Sequence, residues 1–181
     1  MKPLYWMAVG LVFVLLEGRT ESGWDIYPDP LGWLFVLVGL HGLARAAPGL
    51  PLRMTLWYLG ALALFVSAAL VAPDARAWLD DADPALVWAA DLPALAFQVA
   101  LCHVLADQAR RAKARGGAWW RVAQAGLLVG IVAPVLYFGA DWTWLEGVGN
   151  IGYAAALLVV LLCLVFGARS WAGAGEVTAR T

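Results

Sequence analysis

The amino-acid sequence predicts an all-α fold, a polytopic membrane bundle of six transmembrane helices arranged as three hairpins. The 181-residue chain is 63% hydrophobic and 14% charged, whereas a soluble domain is about 25% charged. The apolar residues fall into six stretches, at roughly 3–17, 31–46, 54–72, 85–106, 122–140 and 148–168. We therefore predict a single membrane domain at 1–171, with hairpins at 3–46, 54–106 and 122–168, and a flexible cytoplasmic tail at 172–181.

Charged residues are sorted between the alternate loops that join these stretches. One set of loops carries most of the basic residues and two carboxylates, namely Lys2, Arg45, Arg53, Arg110, Arg111, Lys113, Arg115, Arg121, Arg169, Arg180, Asp107 and Glu176. The other set carries two arginines and eleven carboxylates, namely Arg19, Arg76, Glu17, Glu21, Asp25, Asp29, Asp74, Asp80, Asp81, Asp83, Asp91, Asp141 and Glu146. Because lysine and arginine accumulate on the cytoplasmic side of membrane proteins, both termini are predicted to be cytoplasmic.

The first hairpin contains a helix that begins after Lys2 and a helix that begins at Asp29 and Pro30. Proline suits the first position of a helix because the missing N–H has no partner there in any case. The first helix is followed by LLEGRTES, which has no small-residue cleavage site, so we predict a mature helix rather than a signal peptide. Glu17 lies at its outer end, close in depth to Asp29.

The second hairpin carries a carboxylate inside a predicted span. Asp83 and Pro84 make a favourable helix start, which would leave Asp91 two turns inside the fourth helix, next to Pro93. Gln98 follows seven residues after Asp91 and returns to nearly the same face. A carboxylate within a span is unfavourable by about 2.5–3.5 kcal/mol at the centre and usually faces the bundle interior or water.

The third hairpin is rich in small residues. Its first helix carries Gly126, Gly130 and Pro134 at four-residue spacing. Small residues let helices approach closely, and a proline frees a backbone carbonyl. The spacing therefore indicates either close packing against a neighbouring helix or a kink that gates a pathway.

The second, fourth and sixth stretches align without gaps, and Asp29, Asp91 and Asn150 then share one column. The spacings of 62 and 59 residues suit a degenerate repeat of the hairpin. Asp and Asn are also favourable N-terminal caps of helices, which accounts for Asp29 without any functional role. The alternative is that the three side chains line a shared polar vestibule.

His41 and His103 are the only two histidines, and both are expected in the inner half of the membrane. Two facing imidazoles could ligate a haem b iron axially. Alternatively, each histidine sits separately at a helix interface, and His103 pairs with Asp107 one turn later. The sequence shows no other pattern that predicts a metal or cofactor.

Tryptophan is abundant, with eleven residues, and most of them fall near predicted ends of spans, Trp33 and Trp120 among them. Such rings prefer the level of the lipid headgroups. We therefore predict that most of the tryptophans anchor helices at the membrane surface.

The segment DIYPDPLG at 25–32, followed by WLFVLVGLHGL, resembles uncharacterised bacterial multi-pass membrane proteins with a D-[IL]-x-P-D-x-[ILV]-G segment. The positions that match are Asp25, Pro28, Asp29, Gly32 and Gly39. The resemblance covers about 22 residues. It implies a multi-pass protein of the bacterial cytoplasmic membrane and implies no activity.

The leading functional hypothesis is a small transporter or permease-like protein with a polar, outward-facing vestibule. The candidate substrate- or ion-binding residues are Asp91, Asp29, Asn150, Gln98 and Glu17. A non-catalytic accessory subunit of a larger membrane complex is the alternative, and a haem-binding redox protein is the third hypothesis. The lipid bilayer is the predicted partner, a homo-oligomer or a larger complex stays open, and nucleic-acid binding is not predicted. Phosphate-binding, zinc-hydrolase, serine-hydrolase and dithiol motifs are absent from the sequence, which favours a non-enzymatic role.

Overall fold

The computed structural model describes residues 2–16, 28–47, 49–140 and 142–173, without the side chains of residues 143, 144, 146 and 149. Within these residues the chain is all-helical and has no strand, so the predicted all-α class is confirmed. Its seven α-helices are α1 (Pro3–Leu15), α2 (Asp29–Ala46), α3 (Arg53–Ala69), α4 (Pro73–Asp80), α5 (Pro84–Arg111), α6 (Gly117–Ala140) and α7 (Gly149–Phe166). Short 3₁₀ turns lie at Thr143–Val148 and Ser170–Ala172.

Each of the six predicted apolar stretches overlaps one helix, in order α1, α2, α3, α5, α6 and α7, and α4 is an addition to the prediction. Helix α4 begins with Pro73 and has Asp74 in its first turn, a start that both the missing N–H and the helix dipole favour. It leaves the axis of α3 at an angle of 101°. The chain between α3 and α5 is therefore a short helix lying across the end of the bundle rather than an irregular loop.

Two helices, α5 and α6, are long and apolar enough to cross a membrane. The bent pair of α3 and α4 is a third candidate if the two are counted as one span, and α1 and α7 are shorter apolar helices. A helix needs about 20 residues to cross a hydrocarbon core of about 30 Å, and α1 has 13. The structure thus supports a membrane protein with two or three clear candidate spans.

The six long helices close into a ring. Helix α1 packs on α2, α2 on α3, α3 on α5, α5 on α6, α6 on α7, and α7 returns to α1. The core between them is apolar, and within it the ring of Trp33 meets that of Phe97 edge-on with centroids 5.4 Å apart. Both side chains are fully buried, and such an aromatic pair contributes about 0.5–1.5 kcal/mol beyond the burial of its area.

Glycine allows two of the helix pairs to touch through their backbones. A Cβ atom at Gly130 of α6 would lie 2.7 Å from the Cα atom of Gly152 in α7. In the same way, a Cβ at Gly10 of α1 would overlap the carbonyl oxygen of Gly32 in α2. Such close approach is what small residues provide between membrane helices, so the small-residue pattern of the fifth stretch serves packing at Gly130.

The turn from α5 to α6 is a tight one that ends α5 with a left-handed residue. Lys113 has φ 52°. The N–H of Ala114 donates to the carbonyl of Ala109 at 2.8 Å, and the N–H of Lys113 donates to that of Arg110 at 3.0 Å. This is the Schellman pattern, in which glycine is the usual left-handed residue.

The end of the described chain packs against the bundle. Trp171 lies over Phe166 with ring centroids 5.5 Å apart, and Ala172 is buried. The remainder of the predicted tail, 174–181, lies outside the described residues.

Candidate functional site

One end of the helix ring encloses a cavity of about 940 Å³. Residues from all seven helices line it, because the ring leaves its interior open at the end where α4 crosses. Sites for small molecules are typically about 300–1,000 Å³ and mostly apolar, with a few polar groups that fix the orientation of the ligand. The cavity thus has the size of a small-molecule site, and its polar residues decide what it can bind.

Asp91 lines this cavity and does not cap its helix. Helix α5 begins at Pro84, and the carboxylate of Asp83 accepts a hydrogen bond from the N–H of Ala85 at 2.8 Å. The capping position is thus filled by Asp83, as the sequence predicted, and Asp91 lies two turns further along α5. The side chain of Asp91 is exposed to solvent, so it stands where the cavity opens.

Gln98 lies seven residues after Asp91, about 10 Å further along the helix, and also lines the cavity. Its side chain is only 3% exposed. Its Oε1 atom has no hydrogen-bond partner among the described residues. A buried acceptor left without a partner destabilises a protein by about 1–3 kcal/mol, so this oxygen is held in the bundle at a cost in stability.

Trp88 supplies a donor to the same space. It lies one turn before Asp91 on α5 and lines the cavity. Its indole Nε1 is buried, and within the described part of the chain it has no acceptor. Two side chains of α5 that line the cavity, those of Trp88 and Gln98, therefore each carry a buried polar atom without a partner among the described residues.

Asp29 is the second predicted site residue that lines the cavity. Helix α2 begins at Asp29 itself, and the carbonyl of Pro28 accepts the first helical hydrogen bond, from Leu31 N at 2.9 Å. The capping position is thus Pro28, one residue before the position that the sequence indicated. Asp29 is half-buried and contributes a carboxylate from a second helix.

Helix α4 adds an ion pair that sequence analysis did not assign to the site. Arg76 Nε lies 3.3 Å from Asp80 Oδ1, and both residues line the cavity. The signal for α4 was present in the Pro73–Asp74 start, and the four-residue spacing of the ion pair is that of neighbours on a helix face. The described lining residues thus hold three carboxylates, from Asp29, Asp80 and Asp91, and one guanidinium.

Aromatic side chains contribute to the remaining wall. Trp33, Trp88, Tyr137 and Phe138 line the cavity beside aliphatic residues. The faces of such rings attract cations, and the attraction grows when water is excluded. Carboxylates and aromatic faces together favour a positively charged ligand with an apolar body.

Asn150, one of the predicted site residues, is not among the described residues that line the cavity. Asn150 is exposed in the first turn of α7, outside the described lining of the cavity. Glu17 lies outside the described residues. The cavity therefore brings together Asp29, Asp91 and Gln98 of the predicted set.

The two histidines have different neighbours. The ring of His41 stands edge-on to Trp57 of α3, with centroids 6.4 Å apart. His103 Nδ1 lies 3.3 Å from Arg121 Nη1, and His103 Nε2 lies 3.7 Å from Asp107 Oδ2. The predicted His103–Asp107 pair is therefore present, and haem binding stays a prediction.

No protein-family model, no curated protein and no solved structure matches this chain. The fold and the cavity define it as an all-helical, membrane-associated protein with a small-molecule-sized cavity. Its function is therefore inferred from the cavity itself.

Proposed function

We propose that the protein is a six-span integral membrane protein that binds a small organic cation with an apolar body in the cavity and carries it across the membrane. The observation that carries the proposal is the cavity with Asp91 at its opening and the buried Gln98 deeper inside. The chain is transporter-like in this account, and the cavity faces the acidic, outer side.

The outer surface of the ring supports the six-span arrangement. Large apolar side chains are exposed around the bundle, on α2, α3, α6 and α7, for example Leu34, Val38, Phe65, Val132 and Leu161. Soluble proteins rarely expose apolar patches of this extent. In a bilayer, the lipid chains cover them.

The length of α5 supports the proposed orientation of the protein in the membrane, with the cavity at the outer surface and the basic loop in the cytoplasm. Asp91 and Arg110 lie on this one helix, 19 residues apart in the sequence. At 1.5 Å per residue the separation is about 28 Å, which is close to the thickness of the hydrocarbon core. The acidic cavity and the basic loop therefore lie at opposite surfaces, with the basic one in the cytoplasm.

Charge and shape together support the ligand class. The described lining holds three carboxylates and one guanidinium, so its formal charges sum to minus two. A cavity walled by apolar side chains focuses such a field and raises the local concentration of cations. The aromatic wall then contacts the apolar body of the ligand, and Gln98 accepts a hydrogen bond from any N–H that the ligand carries.

A pair of probes with equal shape and opposite charge tests the ligand class. Tetraphenylphosphonium and tetraphenylborate are both apolar tetra-aryl ions of nearly the same size. We expect tetraphenylphosphonium to raise the thermal unfolding midpoint of the detergent-purified protein in a saturable manner, whereas tetraphenylborate leaves it unchanged. Equal shifts with the two ions would show nonspecific apolar partitioning and would overturn the proposed ligand class.

Reconstitution tests the transport step. Proteoliposomes that contain the protein should take up a labelled organic cation faster than protein-free liposomes. Transport requires that the occupied cavity opens to the opposite side of the membrane and releases the cation there. Saturable binding without uptake would contradict transport and would leave an accessory or ligand-binding subunit as the function. Stable chains that co-purify with the protein would then identify the complex.

A further inference from the structure

A second pocket lies at the end of the bundle opposite to the cavity, where α5 turns into α6. Its volume is about 430 Å³. Among the seven described residues that line it, three are arginines, Arg110, Arg115 and Arg121, and none is acidic. It is separate from the proposed cation cavity both in position and in the sign of its charge.

A single carboxylate holds two of these arginines in place. Asp107 Oδ1 accepts hydrogen bonds from Arg121 Nη2 at 2.7 Å and from Arg110 Nη2 at 3.1 Å. Arg121 also donates through Nη1 to Gln124 Oε1 at 3.0 Å. Asp107 is mostly buried, with 16% of its side chain exposed, whereas Arg110 and Arg121 remain accessible. The guanidinium groups of Arg110 and Arg121 are therefore positioned in advance, and the three arginines of the pocket against Asp107 leave an excess of two positive charges.

The first turn of α6 borders the same pocket. Gly117 and Ala118 begin this helix of 24 residues and line the pocket. The first N–H groups of an α-helix have no acceptor within the helix, and the helix dipole places partial positive charge at that end. Helix N-termini of this kind bind phosphate groups, and guanidinium groups bind phosphate through paired hydrogen bonds.

We propose that this pocket binds a phosphate group, carried by the headgroup of an anionic membrane lipid. The exposed ring of Trp119, 57% accessible and next to Ala118 in the sequence, favours the lipid as the source. Tryptophan prefers the level of the headgroups, so the pocket lies where lipid phosphates are. Basic pockets between membrane helices on the cytoplasmic side are suited to such headgroups.

Lipid binding to the full-length protein tests the proposal. We would titrate the detergent-purified protein with dioleoyl phosphatidylglycerol and count the bound lipids by native mass spectrometry. We expect one saturable adduct with the wild type. Arg115→Gln should weaken it at least about tenfold, which corresponds to one charge-assisted hydrogen bond.

The matched control is Arg111→Gln, which removes the same charge four residues earlier, at an exposed residue at the end of α5 that is not part of the described lining. It should weaken binding less than about threefold, because the charge of Arg111 acts on the bound phosphate only from a distance and is screened by salt. Both substitutions are at exposed positions, so the thermal unfolding midpoint of each variant should match the wild type and exclude misfolding as the cause.

Two competition experiments distinguish a lipid headgroup from a soluble phosphate as the source of the bound phosphate group. Dioleoyl phosphatidylcholine, which has the phosphate but no net charge, should not displace phosphatidylglycerol, and millimolar inorganic phosphate should not displace it either. Displacement by inorganic phosphate would assign the pocket to a soluble phosphate and overturn the lipid. Equal losses in Arg115→Gln and Arg111→Gln, or a lack of saturation, would overturn the pocket as a site.

Discussion

The backbone contact between α6 and α7 can be tested by adding one methyl group. In Gly130→Ala, the new Cβ would lie 2.7 Å from the Cα of Gly152, whereas carbon atoms pack at about 3.5–4.0 Å. The two helices must therefore separate by about 1 Å at this point. Overpacking of this kind costs about 1–3 kcal/mol, and alanine recovers about 0.5–1 kcal/mol through its better helix propensity. We expect a net loss of about 1–2 kcal/mol.

Gly139→Ala is the matched control on the same helix. A Cβ at Gly139 would have no neighbour within 4 Å among the described atoms, so only the gain in helix propensity remains. For a chain of this size, 1 kcal/mol shifts the unfolding midpoint by about 2–4 °C. Gly130→Ala should thus lower the midpoint by about 5 °C, and Gly139→Ala should leave it unchanged or raise it by about 2 °C.

The two cysteines provide the assay for this pair of variants. Cys102 and Cys163 are free and buried in the folded protein, so a maleimide dye that fluoresces on reaction with thiols reports unfolding in detergent. If Gly130→Ala unfolded at the same temperature as Gly139→Ala, the contact between the α6 and α7 backbones would be refuted.

Three further predictions follow from the turn, the topology and the cavity. Lys113→Gly should raise the free energy of unfolding by about 1 kcal/mol, because glycine adopts the left-handed conformation without strain. Lys113→Ala is the control, and an equal gain in stability there would contradict a left-handed backbone conformation at this position. A cysteine placed at Ala82 should react with a membrane-impermeant maleimide added outside, whereas one placed at Ala114 should react only after permeabilisation. External labelling at Ala114 would refute the proposed orientation of the protein in the membrane. Gln98→Met should stabilise the ligand-free protein by about 1 kcal/mol in chemical or thermal unfolding, because it removes a buried acceptor without a partner; a loss of stability would show that Gln98 has a structural partner.

Helix positions and starts were predictable because their causes are local. A run of apolar residues favours a helix wherever it lies in the bundle, and Asp83 and Pro84 set the start of α5 through the geometry of one helix turn. Placing Asp91 inside the helix followed from that start alone. The all-α class and the candidate site residue Asp91 therefore came from neighbours in the sequence.

The direction in which each helix faces was harder to predict, because it depends on the closure of the ring. Asn150 aligns with Asp29 and Asp91 in the sequence, yet α7 leaves it exposed outside the described lining of the cavity. Trp33 and Trp120 lie near predicted ends of spans, yet both are fully buried against neighbouring helices. Position along a helix is encoded locally, whereas the buried face is set by which helices pack on either side.

Helix α4 could not be predicted from the pattern of apolar residues. The segment between the third and fourth stretches is polar, so hydropathy alone assigns it to a loop. Arg76 and Asp80 of this helix line the cavity. Only the proline at its start and the four-residue spacing of the ion pair indicate the helix.

The central claim is that Asp91 binds a cation inside the cavity, and calorimetric titration with tetraphenylphosphonium tests it most directly. We predict that Asp91→Asn weakens binding at least about tenfold, or about 1.4 kcal/mol, because asparagine keeps the shape of the side chain and loses the charge. Asp81→Asn is the control, since it removes the same charge from an exposed residue outside the described lining of the cavity, and it should bind like the wild type. Equal affinities in Asp91→Asn and Asp81→Asn would contradict the account.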